Sequence, residues 1–240
     1  TNSTSNTYAD GKVADSITNG VTTIAPSQNA VFDALALKSA GTIIVTSGTS
    51  FTTPSNITTS TIFFIELIGA GGGGAGTNST NSTPGGGGGG YCFVKVTGLS
   101  PSTTYTCAIG TGGTGGAGGG NNNGNNGGDT TLTIGAVTHS ANGGTGATCS
   151  VGFTGGAGGT AANGDLNISG QIGGDSPAIS SLLIAGAGGN SHLGWGFGGN
   201  ETRSGTTGKS GTGFGGGGAG GKNAAGGNGA NGIIYCQYVN

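Results

Sequence analysis

Short apolar, strand-like runs recur along the chain, and each of them meets glycine. Ile62–Phe63–Phe64–Ile65–Glu66–Leu67–Ile68 empties into Gly69–Ala70–Gly71–Gly72, and the run Gly85–Gly90 feeds Tyr91–Cys92–Phe93–Val94–Lys95–Val96. Gly226–Gly232 feeds Ile233–Val239, and Leu182–Ala185 runs into Gly186–Gly189. Pro101 sets a turn before the alternation Tyr105, Cys107, Ile109. The pattern predicts strands at these runs, with weaker strands at Thr130–Ile134, Leu166–Ser169 and Ser181–Ile184. A different spacing marks the N-terminal region, where Val31, Ala34, Leu35 and Lys38 share one face of a helix capped by Ser27. About three turns are too few to be stable alone in water, so this helix must dock on the domain or on copies of itself.

Sixty-two glycines in 240 residues change the picture, because glycine loses the most conformational entropy on folding and contributes no side-chain burial. Collagen is excluded: there are five prolines and no unbroken Gly-X-Y period. A solvated linker would lack the apolar runs that flank the glycines, and those runs must be buried. In Thr111–Gly112–Gly113–Thr114–Gly115–Gly116–Ala117–Gly118–Gly119 a side chain occurs only at every third place. An extended helix with three residues per turn would carry Thr111, Thr114 and Ala117 on one edge and leave two edges bare. Bare edges permit polyglycine-II packing, in which neighbouring segments satisfy each other's backbone groups. Glycine-rich turns and loops are the other reading of the same texture.

Six Lys/Arg against eight Asp/Glu, a net charge of −2, leave no basic patch for nucleic acid or anionic membranes. No apolar run reaches the length of a membrane-spanning helix. The cysteines at 92, 107, 149 and 236 lack C-x-x-C spacing and the histidines are only His139 and His192, so no metal site or cofactor is expected. Cys92 and Cys107 lie on consecutive predicted strands, either as a cross-hairpin disulfide or as small buried hydrophobes. Gly208–Lys209–Ser210 fails as a phosphate loop because Arg203 stands where the pattern needs glycine. The acids are scattered and neither histidine has a triad neighbour, so no catalytic residues are expected and the chain does not read as an enzyme.

Binding has one concentrated candidate. His192–Leu193–Gly194–Trp195–Gly196–Phe197 places the only tryptophan, a phenylalanine and a histidine between glycine runs, and Phe214 is flanked in the same way. Aromatic residues on loops supply contact area for sugars and partner surfaces. Equally, Trp195 and Phe197 could plug a gap between glycine segments and a sheet.

Ala9–Leu35, and above all Ala25–Pro26–Ser27–Gln28–Asn29–Ala30–Val31–Phe32–Asp33–Ala34–Leu35, resembles the connector found repeatedly in bacteriophage tail-fibre and other virion-fibre proteins, departing from it at Asn19, where Asp is usual. From Gly41 onward the chain resembles the glycine-rich domain that ends many such fibres. The resemblance runs through Thr46–Pro54, Phe64–Gly72, Gly90–Val96 and Gly232–Tyr235. It implies a distal fibre part, a trimeric assembly, a virion-surface or extracellular location, and receptor contacts on loops between glycine helices.

The expected fold is mainly β: an antiparallel β sandwich carrying glycine-rich segments, with one short N-terminal helix. Residues 1–40 form an arm and an oligomerisation helix using Val31, Phe32 and Leu35, and residues 41–240 form the glycine-rich β domain. The expected function is non-enzymatic adhesion to a cell-surface glycan or outer-membrane protein through His192, Trp195, Phe197 and Phe214. The alternative is a self-assembling subunit of an extracellular filament or tube, polymerising through its polar N-terminal arm.

Overall fold

The computed structural model describes residues 40–78, 83–149, 154–176, 184–192, 195–200 and 205–240. The predicted N-terminal helix, with Val31, Phe32 and Leu35, lies outside the described residues. The rest is mainly β, and every strand pairing is antiparallel.

The apolar runs become the central strands. One five-stranded sheet has the order β1 (Ala40–Val45), β12 (Ile233–Val239), β3 (Ile62–Ile68), β4 (Tyr91–Val96), β9 (Leu166–Ile168). The second has the order β2 (Ser50–Thr52), β5 (Thr104–Ala108), β6 (Thr130–Ile134), β7 (Val137–Ala141), β8 (Ala161–Ala162). A two-stranded ribbon joins β10 (Gly196–Phe197) to β11 (Thr212–Gly213). Side chains alternate across each strand, so Phe63, Ile65 and Leu67 of β3 share one face with Cys92, Val94, Ile234, Cys236 and Tyr238 of the flanking strands. These meet Phe51, Cys107, Leu132 and Ala141 of the second sheet in one buried cluster. The two sheets thus face each other across a common core in a sandwich-like base. Phe63 and Tyr238, opposite each other in register, bring their rings to 5.6 Å, and Gly41 is required beside them because a Cβ there would run into the Tyr238 ring.

Beyond the strands the chain continues as extended glycine segments. In segment 69–77 the hydrogen-bond partners rotate with a period of three. The N–H groups of Gly69, Gly72 and Ala75 donate to segment 84–90, those of Ala70, Gly73 and Gly76 to segment 122–128, and those of Gly71, Gly74 and Thr77 to segment 224–230, at 2.9–3.1 Å. The carbonyls follow the same rule. Ala70 and Gly73 accept from Gly144 and Ala147, Gly71 and Gly74 from Gly113 and Gly116, and Gly72 and Ala75 from Gly218 and Gly221. Segment 69–77 is therefore ringed by neighbouring segments on every side, which is the stepping that polyglycine-II packing predicts.

Side-chain content follows position in this array. Segments 69–77, 83–90 and 215–221 are buried throughout and hold the longest glycine runs, since each of their three edges faces another backbone. In the peripheral segment 110–118, Thr111, Thr114 and Ala117 are exposed while Gly113 and Gly116 are buried, as the threefold texture requires.

Of the two readings of Cys92 and Cys107, the structure has the small buried hydrophobes and not the cross-hairpin disulfide. Cys92 lies on β4 and Cys107 on β5, strands of different sheets that do not form a hairpin. Both thiols are free and buried, as are those of Cys149 and Cys236. The segment between Cys92 and Cys107 crosses from one sheet to the other instead of turning back within one.

Candidate functional site

Segment 184–191 runs back along the array to the outward face of the first sheet, and the chain reverses there into β10. Gly213 (φ 68°) and Gly215 (φ 78°) flank Phe214, and this left-handed backbone, which side-chain-bearing residues rarely adopt, folds the β11 turn onto the same place. Backbone and hydroxyl groups lock the two turns together. Phe214 N–H donates to the Trp195 carbonyl at 2.7 Å, and Ser191 Oγ donates to the Phe214 carbonyl at 2.8 Å.

Beneath the turns lie Ile68, Tyr91 and Ile233, buried, with Trp195 and Phe214 packed against them. The Trp195 ring sits 5.2 Å from Tyr235 and 6.4 Å from Phe214, and its Nε1–H donates to Glu66 Oε2 at 2.9 Å. Burial, with the Glu66 carboxylate behind it, pushes the Tyr91 phenol well above its ordinary value. His192 packs its ring 5.3 Å from Tyr91. Trp195 and Phe214 therefore close the junction between array and sheet.

Phe197 is different: 59% of its surface is exposed. With His192 it borders an open cavity of about 230 Å³ lined also by Ser169, Gln171, Asn190, Ser191 and Gly196. Of the four predicted contact residues, the structure brings His192 and Phe197 to one concavity and places Trp195 and Phe214 in the packing behind it. Ser169 and Gln171 escape the sequence reading because they belong to a segment far from residues 192–197 in the chain, and Asn190, though only two residues before His192, carries no aromatic or charged signal. The only local hint is that polar side chains replace glycine there.

No charged residue lines the cavity. Its amides, hydroxyls and imidazole offer both donors and acceptors. Asn190 already uses its Oδ1 to accept from Gly198 N–H at 2.8 Å, which leaves its amide N–H₂ to donate. An exposed phenyl, that of Phe197, stands beside these hydrogen-bonding groups. Among the described residues there is no group of three His, Cys, Asp or Glu side chains placed to bind a metal, and no helix is long and apolar enough to cross a membrane.

The glycine-rich domain family model matches residues 45–239, which is most of the chain, and the chain belongs to that family. No curated protein matches it.

Proposed function

We propose that this glycine-rich domain protein is a non-enzymatic structural and adhesion protein of a virion or other extracellular surface, serving as the distal, receptor-binding part of a phage tail fibre. The observation that carries the reading is the cavity lined by Phe197, His192, Gln171 and Asn190, held on a backbone-bonded platform. Such a platform presents its side chains with little entropy left to lose on binding. The partner is a cell-surface glycan or an outer-membrane protein carrying one, and Val31, Phe32 and Leu35 join copies of the chain into an oligomer, a trimer by resemblance to the fibres. Trp195 and Phe214 support the site from behind.

The test is binding of the labelled protein to host cells and to immobilised glycans. Phe197→Ala and Gln171→Ala lower binding about tenfold or more while leaving assembly and melting temperature unchanged. Unaltered binding in both variants removes the cavity from the proposal.

A second reading is favoured by β1, which among the described residues is an edge strand of its sheet and follows directly on the N-terminal arm. An open edge accepts an added strand, as a subunit polymerising through its arm into a filament or tube would need. Removal of Thr1–Ile24 abolishes assembly in that case and leaves glycan binding untouched in the first.

A further inference from the structure

Asparagine followed by glycine is among the least stable steps of a polypeptide, because glycine has no Cβ to shield its N–H from the asparagine side chain. The Gly nitrogen attacks the side-chain carbon Cγ, and a new C–N bond closes a five-membered succinimide. The amide nitrogen departs as ammonia, carrying the proton that the Gly nitrogen gives up. Water then opens the ring to aspartate or, when it attacks the main-chain carbonyl, to isoaspartate. Among the described residues such steps stand at Asn123, Asn126, Asn142, Asn163, Asn228 and Asn231. All but the half-buried Asn142 are exposed, so access to water does not tell them apart. The bonds that hold them do.

Asn123, Asn126, Asn228 and Asn231 belong to segments of the glycine array and are held at both reacting ends. The N–H groups of Gly124, Gly127, Gly229 and Gly232 donate to the carbonyls of Ala147, Gly144, Gly113 and Gly110 at 2.8–3.0 Å. The asparagine side chains reach across to a neighbouring segment. Asn123 and Asn126 Oδ1 accept from the N–H groups of Cys149 and Gly146, and Asn228 and Asn231 Oδ1 from those of Gly115 and Gly112, at 2.8–3.0 Å. Closing the ring would break both bonds and turn a peptide whose partners are themselves fixed backbone. At Asn142 the Asp129 carboxylate holds the Gly143 N–H at 2.9 Å, a charge-assisted bond. Asn163 is held more loosely. It sits in the exposed turn between β8 and β9 with φ 61°, and Gly164 N–H donates to a neutral side chain, Asn167 Oδ1, at 3.1 Å, while Asn167 Nδ2 donates back to the Gly164 carbonyl at 2.9 Å. One rotamer change of Asn167 releases both. Asn163 Nδ2 donates to the Thr138 carbonyl at 2.9 Å, and its Oδ1 has no partner among the described residues.

We propose that Asn163 is the site at which this protein deamidates, and that the array locks its own Asn–Gly steps against the same reaction. Conversion at 163 falls where it does harm. The turn carries the chain from the second sheet to the first, the Asn163 carbonyl is hydrogen-bonded to His139 Nδ1, and a Cβ on Gly164 would run into Cys92 Sγ. The lengthened main chain of isoaspartate has no space there, so the modified protein melts at a lower temperature.

The test is peptide mapping by mass spectrometry of the full chain held in mildly alkaline buffer, with isoaspartyl methyltransferase labelling to count isoaspartate. In the folded chain residue 163 converts at least about tenfold faster than residues 123, 126, 228 and 231, each of which must first give up two array bonds. In denaturant all of them convert at similar rates, since glycine follows each, and that baseline shows the difference to be structural. Asn167→Ala removes the acceptor from Gly164 N–H and speeds conversion at 163. The array positions stay slow in that variant, which shows that it is still folded. Array positions that convert as fast as 163 in the folded chain overturn the proposal, and so does a residue 163 as slow as they are. An unchanged rate at 163 in Asn167→Ala overturns it as well.

Discussion

The β base and the glycine array are built from one chain yet held together by opposite means. In the base, Phe63, Ile65 and Leu67 are fully buried and their stabilisation comes from apolar surface withdrawn from water. In segment 69–77, which follows directly, the buried material is backbone, and what offsets the large entropy cost of ordering glycine is hydrogen bonding on all three edges. Each array bond contributes about 1 kcal/mol net, so no single one matters much. The array depends instead on every neighbour being able to approach. Large apolar side chains are therefore indispensable up to residue 68, whereas in segment 69–77 only the small ones of Ala70, Ala75 and Thr77 fit among the glycines.

That contrast can be broken most forcefully by adding atoms where none fit. A Cβ on Gly87 would meet the Ala157 carbonyl well inside contact distance, and a carbonyl fixed by its own hydrogen bonds cannot swing aside. Gly87→Val is expected to destabilise the protein by more than about 4 kcal/mol, read as loss of the folded fraction by chemical denaturation. Removing atoms from the base comes next: Phe63→Ala leaves a cavity and is expected to cost about 3–5 kcal/mol, measured in the same way.

Chemistry separates the regions more gently. Burial pushes the Cys236 thiol up to about 12 and the Cys92 thiol up to about 11. The neutral form is thus favoured in the folded state, while the unfolded thiol ionises near about 8.5. The stability these groups contribute is complete below that value and is lost as pH rises toward 11 and then 12. Denaturation midpoints should fall across that window, and less so in Cys236→Ala once its own packing loss at neutral pH is subtracted. The smallest effect belongs to the periphery of the array. Thr114→Ala, on the exposed edge of segment 110–118, should stay within about 0.5 kcal/mol of the parent.

These expectations also mark what the sequence made legible. The strands with continuous apolar character, Ile62–Ile68, Tyr91–Val96 and Ile233–Val239, stand where the pattern puts them. The strand Val137–Ala141 does not stand out, because Thr138, His139 and Ser140 interrupt its hydrophobicity. The available signal was Gly135, whose positive φ turns the β6–β7 hairpin. The array shows the same division. Thr111, Thr114 and Ala117 reveal a threefold edge because side chains mark it, whereas the unbroken run Gly85–Gly90 carries no mark of which neighbour each edge faces. A bare edge has no side chain to encode its partner, so the order of segments is set by where the strands deliver them.

At the candidate site the aromatic residues were visible and their division of labour was not. Trp195 and Phe197 stand two residues apart, and the Glu66 bond with the Tyr235 and Phe214 contacts turns the first inward while the second stays exposed. Gln171 and Asn190 reach the cavity by way of the array, since Gln171 N–H donates to the Asn190 carbonyl at 2.9 Å. That juxtaposition depends on the stacking of two segments and has no local signature.

The most direct measurement is residue-resolved amide hydrogen exchange across Gly72, Gly73 and Gly74. These consecutive amides donate to three different segments, so the account predicts that all three exchange as slowly as Ile65 in the core strand β3, through global unfolding. Fast exchange at all three, with Ile65 still protected, would mean that the glycine segments are not held by one another, and would contradict the account.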